Sequence, residues 1–214
     1  MMIRFKTHLT LFLTFVLIVL ASNFCHAQKF NGLDMSPHDI SYFRIDNNAA
    51  PLIKVLYGRP QLRGRSIGKE IVPFGKIWRT GANEATEIRF YSDVIINDTL
   101  LKAGTYSLLT IPEKREWTFI INKDVDVWGA YSYDENKDVV RIKTPSENGK
   151  ESLDALSIAF NKEEDDTVNL VVGWGKTRAF LPITFPTKPQ EQLAKEETTP
   201  EKNIETEEKT EKME

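Results

Sequence analysis

Short runs of alternating apolar and polar residues recur along the middle of the chain. The two-residue period is present in TEIRFY, GTYSLLTI, EWTFIIN and TVNLVVGW, and it is typical of strands with one buried face. Turn-forming residues separate such runs, at positions 97–98, 103–104, 112–115, 146–149, 163–166 and 175–177. The pattern predicts an all-β domain, a single antiparallel β-sandwich or jelly roll, with at most one helical turn at residues 66–72.

The two ends of the chain differ from the middle. Residues 1–27 carry Arg4 and Lys6 near their start, followed by an apolar run and then by small and polar residues up to Ala27, as in a cleaved signal peptide. The tail from Pro186 has no aromatic residue and contains nine glutamates and five lysines, so it is predicted to be disordered. We therefore divide the chain into a signal peptide at 1–27, a flexible segment at 28–35, a β-sandwich domain at 36–185 and a charged tail at 186–214.

The signal peptide predicts export through the inner membrane, to the periplasm or beyond. A lipoprotein would attach its lipid at Cys25, but Phe24 is larger than the residue that lipid-attaching processing prefers before the cysteine. An uncleaved signal that anchors the chain is a second alternative. We expect no transmembrane span in the mature chain.

Removal of the signal leaves little of the usual catalytic and metal-binding chemistry. The mature chain has no cysteine and one histidine, His38, which excludes disulfides, cysteine nucleophiles and multi-histidine metal centres. No metal or cofactor is expected, and no phosphate-binding or dinucleotide-binding glycine pattern is present. With 26 Lys and Arg against 31 Asp and Glu, a net charge of −5, and no basic stripe interleaved with aromatics, nucleic acid is not an expected partner.

Polar residues concentrate just before the strand TEIRFY, in the segment IWRTGANEATEIRF. Counting back by two from Ile88 places Glu84 on the buried side of the strand. A buried carboxylate requires a partner, and the nearest suitable one in sequence is Arg79. In one interpretation Trp78, Arg79, Asn83 and Glu84 line a pocket at one end of the domain. In the other, Trp78 belongs to the core and Arg79 forms an internal ion pair with Glu84.

Two further segments add to this candidate pocket. Tyr57 and Arg59 end a strand in the motif LYGRP. Trp128, Tyr131 and Tyr133 lie in a connecting segment, where they either cover the end of the core or form a binding platform. The candidate ligand-binding residues are therefore Tyr57, Arg59, Trp78, Arg79, Asn83, Glu84 and Trp128.

Several of these motifs occur together in one known family. The runs YGRP, GRSIG, VPFGKIWRTGANEATEI, LKAGTYSLLTIP, WTFIINKD and WGAY resemble the bacterial family of domain of unknown function 2911, from about Ser36 to Phe185. The resemblance implies an exported, mostly β protein without an established activity.

The leading functional hypothesis is an envelope protein that binds a ligand or partner and performs no chemistry of its own. The partner would be a small molecule, a glycan or an envelope protein. The alternative is a hydrolase of envelope glycans or peptides, in which Glu84 would pair with another carboxylate, from Glu70, Asp134 or Asp138. A third possibility is a purely structural envelope protein.

Overall fold

The computed structural model describes residues 8, 11–16, 30–164 and 167–186. Contacts divide the chain into two units, Met1–Asp34 and Met35–Glu214. In the first unit, residues 11–16 are helical. Most of the predicted signal peptide and nearly all of the predicted tail lie outside the described residues. No helix in the described ranges is both long and apolar enough to span a bilayer.

The described residues of the second unit are mostly in β-strands, as the alternating pattern predicts. The strands are β1 His38–Phe43, β2 Ile53–Gly58, β3 Ile67–Gly68, β4 Ile71–Pro73, β5 Thr86–Phe90, β6 Val94–Ile96, β7 Thr99–Leu101, β8 Gly104–Pro112, β9 Glu116–Asn122, β10 Asp138–Lys162 and β11 Val168–Ile183. A 3-10 turn, Glu135–Lys137, precedes β10 and is capped by the side chain of Asp134.

Seven strands form one antiparallel sheet in the order β1-β2-β5-β8-β9-β10-β11. The short strands form two separate pairs, β3 with β4 and β6 with β7. The long strand β10 pairs with β9 as far as Pro145 and with β11 from Ser146 onward. The prediction of a mostly β chain is confirmed, and the strands form a curled antiparallel sheet.

The curl of the sheet brings the chain after β2 against the second half of β10. The backbone N–H of Leu62 donates to the carbonyl of Asp154 at 2.8 Å, and that of Leu156 donates to the carbonyl of Pro60 at 2.9 Å. Gln61 and Ala155 form an antiparallel bridge between them. Since β2 and β10 are four places apart in the sheet, these bonds hold the curled sheet around its core.

The inner face of the sheet carries the apolar half of each alternating strand. Ile53 and Val55 of β2 and Ile88 of β5 are fully buried. Three of the four tryptophans, Trp78, Trp117 and Trp174, are buried in the same cluster. Burial of this apolar surface is the main stabilising contribution to such a fold.

Three local predictions are wrong. The turn residues at 146–149 and 175–177 lie inside β10 and β11, and residues 66–72 contain β3 and the start of β4 rather than a helical turn. The long strands instead accommodate these residues with irregular pairing, because the β10–β11 register shifts between Asn148 and Ser157. Gly175 adopts a φ of +55°, a conformation that glycine tolerates without leaving the strand.

Candidate functional site

Trp78 belongs to the core. It is 7% exposed, and its ring is stacked on Trp174 with centroids 5.5 Å apart and meets Trp117 edge-on at 6.1 Å. Its indole N–H donates to the carbonyl of Gly81 at 3.1 Å. The side chain is therefore placed to stabilise the fold, and its surface is already occupied by the two neighbouring rings.

Arg59 connects the end of β2 to β10. Its Nε donates to the carbonyl of Leu156 at 2.9 Å, Nη2 to Oγ of Ser157 at 2.9 Å, and Nη1 to Asp39 at 3.0 Å. The planar guanidinium suits this set of three acceptors. Arg59 thus reinforces the backbone bonds that hold the curl of the sheet.

Tyr57 takes part in the same connection. Its hydroxyl accepts the backbone N–H of Ile158 at 3.1 Å and donates to Asp39 at 3.4 Å. Burial raises the pKa of the Tyr57 hydroxyl above its ordinary value of 10.0. The side chain is 3% exposed, so Tyr57 presents almost no surface to a ligand.

The predicted inward orientation of Glu84 and its ion pair with Arg79 are wrong. The Glu84 side chain is 48% exposed, and its Oε2 lies 3.1 Å from Nε2 of His38. The two-residue alternation does not extend before Thr86, because Ala85 and Thr86 are both buried. Their amides bond to different segments: Ala85 to the carbonyl of Val127 and Thr86 to that of Arg79.

Arg79 and Asn83 help to form the turn before β5. Arg79 is half-buried, and its Nε is buried without a hydrogen-bond partner. Asn83 has a φ of +64°, in the left-handed region that asparagine adopts more readily than most residues. Its carbonyl accepts the backbone N–H of Gly129 at 3.1 Å. The turn thereby holds the segment that contains Trp128.

Trp128 is the one tryptophan of the chain that is exposed, at 61%. It forms an antiparallel bridge with Glu84. On either side of it, Val127 accepts the amide of Ala85 at 2.9 Å and Gly129 donates to the carbonyl of Asn83 at 3.1 Å. The backbone around Trp128 is therefore held in place while its ring remains open to solvent.

Tyr131 extends this exposed aromatic region. It is 86% exposed, and its ring lies against the backbone of Gly129, where an added Cβ would meet ring atoms at 2.7 Å. Gly129 also has a φ of +70°, so a larger residue would be both strained and crowded. We call His38, Glu84, Trp128 and Tyr131 the Trp128 surface.

A partly buried polar network joins the loop that contains Trp128 to β9 and β10, and no local sequence pattern indicates it. The Tyr133 hydroxyl donates to Asp138 at 2.7 Å and accepts from Arg141 at 2.6 Å, while Asn122 donates to Asp138 at 2.8 Å. Burial, followed by the hydrogen bond to Asp138, raises the pKa of Tyr133 to about 12. These contacts anchor the loop that presents Trp128.

The seven predicted residues do not form one pocket. None of them lines either of two cavities, of about 290 Å³ and 310 Å³, in the described part of the chain. Tyr57, Arg59 and Trp78 stabilise the curled sheet, whereas Glu84 and Trp128 lie together on the surface. Within the described ranges, no three His, Cys, Asp or Glu side chains are arranged to hold a metal ion.

The structure therefore defines a mostly β protein in which Tyr57, Arg59 and Trp78 make structural contacts. Trp128 and Tyr131 are exposed beside them, on a segment whose backbone is held by hydrogen bonds. The chain belongs to the family described as Protein of unknown function (DUF2911), whose model matches residues 36–183. No curated protein and no solved structure matches the chain.

Proposed function

We propose that this chain is an exported envelope protein that binds a glycan on the Trp128 surface and performs no chemistry of its own. The single observation behind the proposal is the placement of Trp128. Exposing the apolar surface of a tryptophan ring to water is unfavourable. Trp128 is nevertheless mostly exposed, and backbone hydrogen bonds on both sides of it hold its segment at the surface.

The neighbours of Trp128 support a glycan as the ligand. A sugar ring has an apolar face that packs on indole or phenol rings, while its hydroxyls require donors and acceptors at the edge of the contact. Tyr131 provides a second exposed ring, and the His38–Glu84 pair provides polar groups beside Trp128. Backbone fixed before binding reduces the entropy lost on association.

The hydrolase alternative receives no support from the carboxylates proposed to pair with Glu84. Glu70 accepts the backbone N–H of Ser66, Asp134 caps the 3-10 turn, and Asp138 is bound by Asn122, Tyr133 and Arg141. Each is held by local structural contacts, so binding without chemistry is the simpler interpretation of Glu84.

The test is calorimetric titration of the full-length chain with soluble neutral oligosaccharides, namely chitohexaose, maltohexaose and cellohexaose. Trp128→Ala is compared with Leu100→Ala, which removes another exposed apolar side chain. Truncating a central aromatic contact costs about 2 kcal/mol, so we expect about 30-fold weaker binding for Trp128→Ala and no change for Leu100→Ala. Absence of binding to every oligosaccharide, or equal binding by both variants, would contradict the proposal.

A further inference from the structure

We propose that the exposed face of the sheet has a second binding site, for ligands that contain two or more phosphate or sulfate groups. Its residues are three cations, Arg44, Lys54 and Arg89, which we call the basic row. The site is separate from the Trp128 surface, and the proposal does not depend on glycan binding there.

The strand register places Lys54 and Arg89 on neighbouring strands, and Arg44 follows the last residue of β1. Lys54 on β2 lies directly opposite Arg89 on β5 and, on its other side, directly opposite Tyr42 on β1. The neighbours of Lys54, Ile53 and Val55, are fully buried, so Lys54 is on the outer face. Opposite residues in a sheet have Cβ atoms about 5 Å apart, which holds the two cations side by side.

A tyrosine supports each arginine of the row. The guanidinium carbon of Arg44 lies 5.0 Å from the centre of the Tyr42 ring, and that of Arg89 lies 4.9 Å from the centre of the Tyr91 ring. Such cation–π contacts position a guanidinium without using its N–H donors. Nη1 of Arg44 donates to the carbonyl of Ala49. The remaining donors suit the oxygens of a tetrahedral anion.

The carboxylates near the row are engaged elsewhere. Asp46 accepts the amides of two following residues, Glu87 accepts the amide of Asp126, and Asp93 binds Lys102 and the amide of Ala103. Within the described part of the chain, none of the three cations of the row forms an ion pair.

This arrangement costs stability in the free protein. Like charges directly opposite each other in a sheet are destabilising, and no carboxylate offsets the repulsion between Lys54 and Arg89. Local choices that oppose stability are expected where a surface serves binding. A cavity of about 310 Å³, whose lining includes Arg89 and Tyr91, gives the row a concave end in which an anionic group would fit.

The experiment is calorimetric titration of the full-length chain with tripolyphosphate at low salt. The variant Lys54→Gln/Arg89→Gln is compared with Lys114→Gln/Arg115→Gln, which removes the same charge from exposed positions beyond the opposite end of β8. We expect at least tenfold weaker binding for the first variant and little change for the second. Tm of the first variant should stay close to that of the unmodified chain, because relief of the Lys54–Arg89 repulsion offsets loss of the Arg89–Tyr91 contact.

A parallel arm uses phosphatidylcholine vesicles with and without phosphatidylglycerol, to separate a lipid headgroup from a soluble ligand. If Lys54→Gln/Arg89→Gln weakens binding to the anionic vesicles but not to tripolyphosphate, the row binds lipid phosphate. If it weakens binding to tripolyphosphate but not to the vesicles, the row binds soluble anions. Equal weakening in both double variants, or no binding to either probe, would overturn the proposal. A peptide of residues 187–214 that displaces tripolyphosphate would instead assign the row to the chain's own acidic end, and would also overturn it.

Discussion

Arg59 belongs to YGRP, one of the runs that resemble the family. Its substitution distinguishes a structural role of this run from a ligand-binding one. Substitution with methionine keeps most of the aliphatic stem and removes all three donors. Two of these donors bond to Leu156 and Ser157 at 2.9 Å. Hydrogen bonds from charged groups contribute about 1.5–3 kcal/mol each, but Arg59 is 40% exposed, so we take about 1 kcal/mol for each.

The third contact adds less. Asp39 is 42% exposed, and exposed ion pairs contribute about 0.2–1 kcal/mol. We therefore expect Arg59→Met to lower the free energy of unfolding by about 2–3 kcal/mol, measured by urea denaturation followed by tryptophan fluorescence.

Arg63→Met is the matched control for this measurement. Its guanidinium forms one side-chain contact, to Gln61 at 3.4 Å, so a change within about 0.5 kcal/mol is expected. A loss below about 0.5 kcal/mol for Arg59→Met as well would refute the structural role that the contacts of Arg59 indicate.

Two further predictions concern packing and pH. Gly58→Ala should lower Tm strongly, because its Cβ would lie 2.0 Å from the carbonyl oxygen of Ala82, whereas Gly104→Ala meets nothing closer than 3.5 Å and should change Tm little; similar Tm values for the two variants would contradict the close backbone approach. Since the folded pKa of Tyr133 is raised from 10.0 to about 12, the stability associated with its protonated hydroxyl should be complete below pH 10 and decline as the pH rises toward 12; urea denaturation across this range should show a shallower decline in Tyr133→Phe.

Strand β5 could be predicted because its burial alternates, whereas β9 is buried along nearly its whole length, on both faces. TEIRF has a buried Ile88 and Phe90, so the period of two alone identifies the strand and its inner face. The same reasoning fails at Glu84, because the period requires a continuous ladder and the backbone before Thr86 bonds to other segments. The partner of Glu84 is His38, which is brought to it by folding and is remote in sequence.

The roles of the tryptophans could not be separated from the sequence. Trp78 and Trp128 both lie near glycines in the sequence, and both are candidates for a ligand surface on that evidence. Trp78 is buried because two other tryptophans from β9 and β11 pack on it, a contact that depends on the curl of the sheet. Trp128 is exposed because its segment pairs with the residues before β5, which no local pattern indicates.

The most direct test of the account compares Trp128→Phe with Trp78→Phe, measuring Tm and the affinity for the oligosaccharide that binds the unmodified chain. Trp128→Phe should leave Tm unchanged and weaken binding, because its ring is exposed and is the proposed contact with the ligand. Trp78→Phe should lower Tm, since it loses the Gly81 hydrogen bond and part of the stacking on Trp174, while its affinity is retained. The reverse result, with binding lost in Trp78→Phe and retained in Trp128→Phe, would contradict the assignment of structure to one tryptophan and binding to the other.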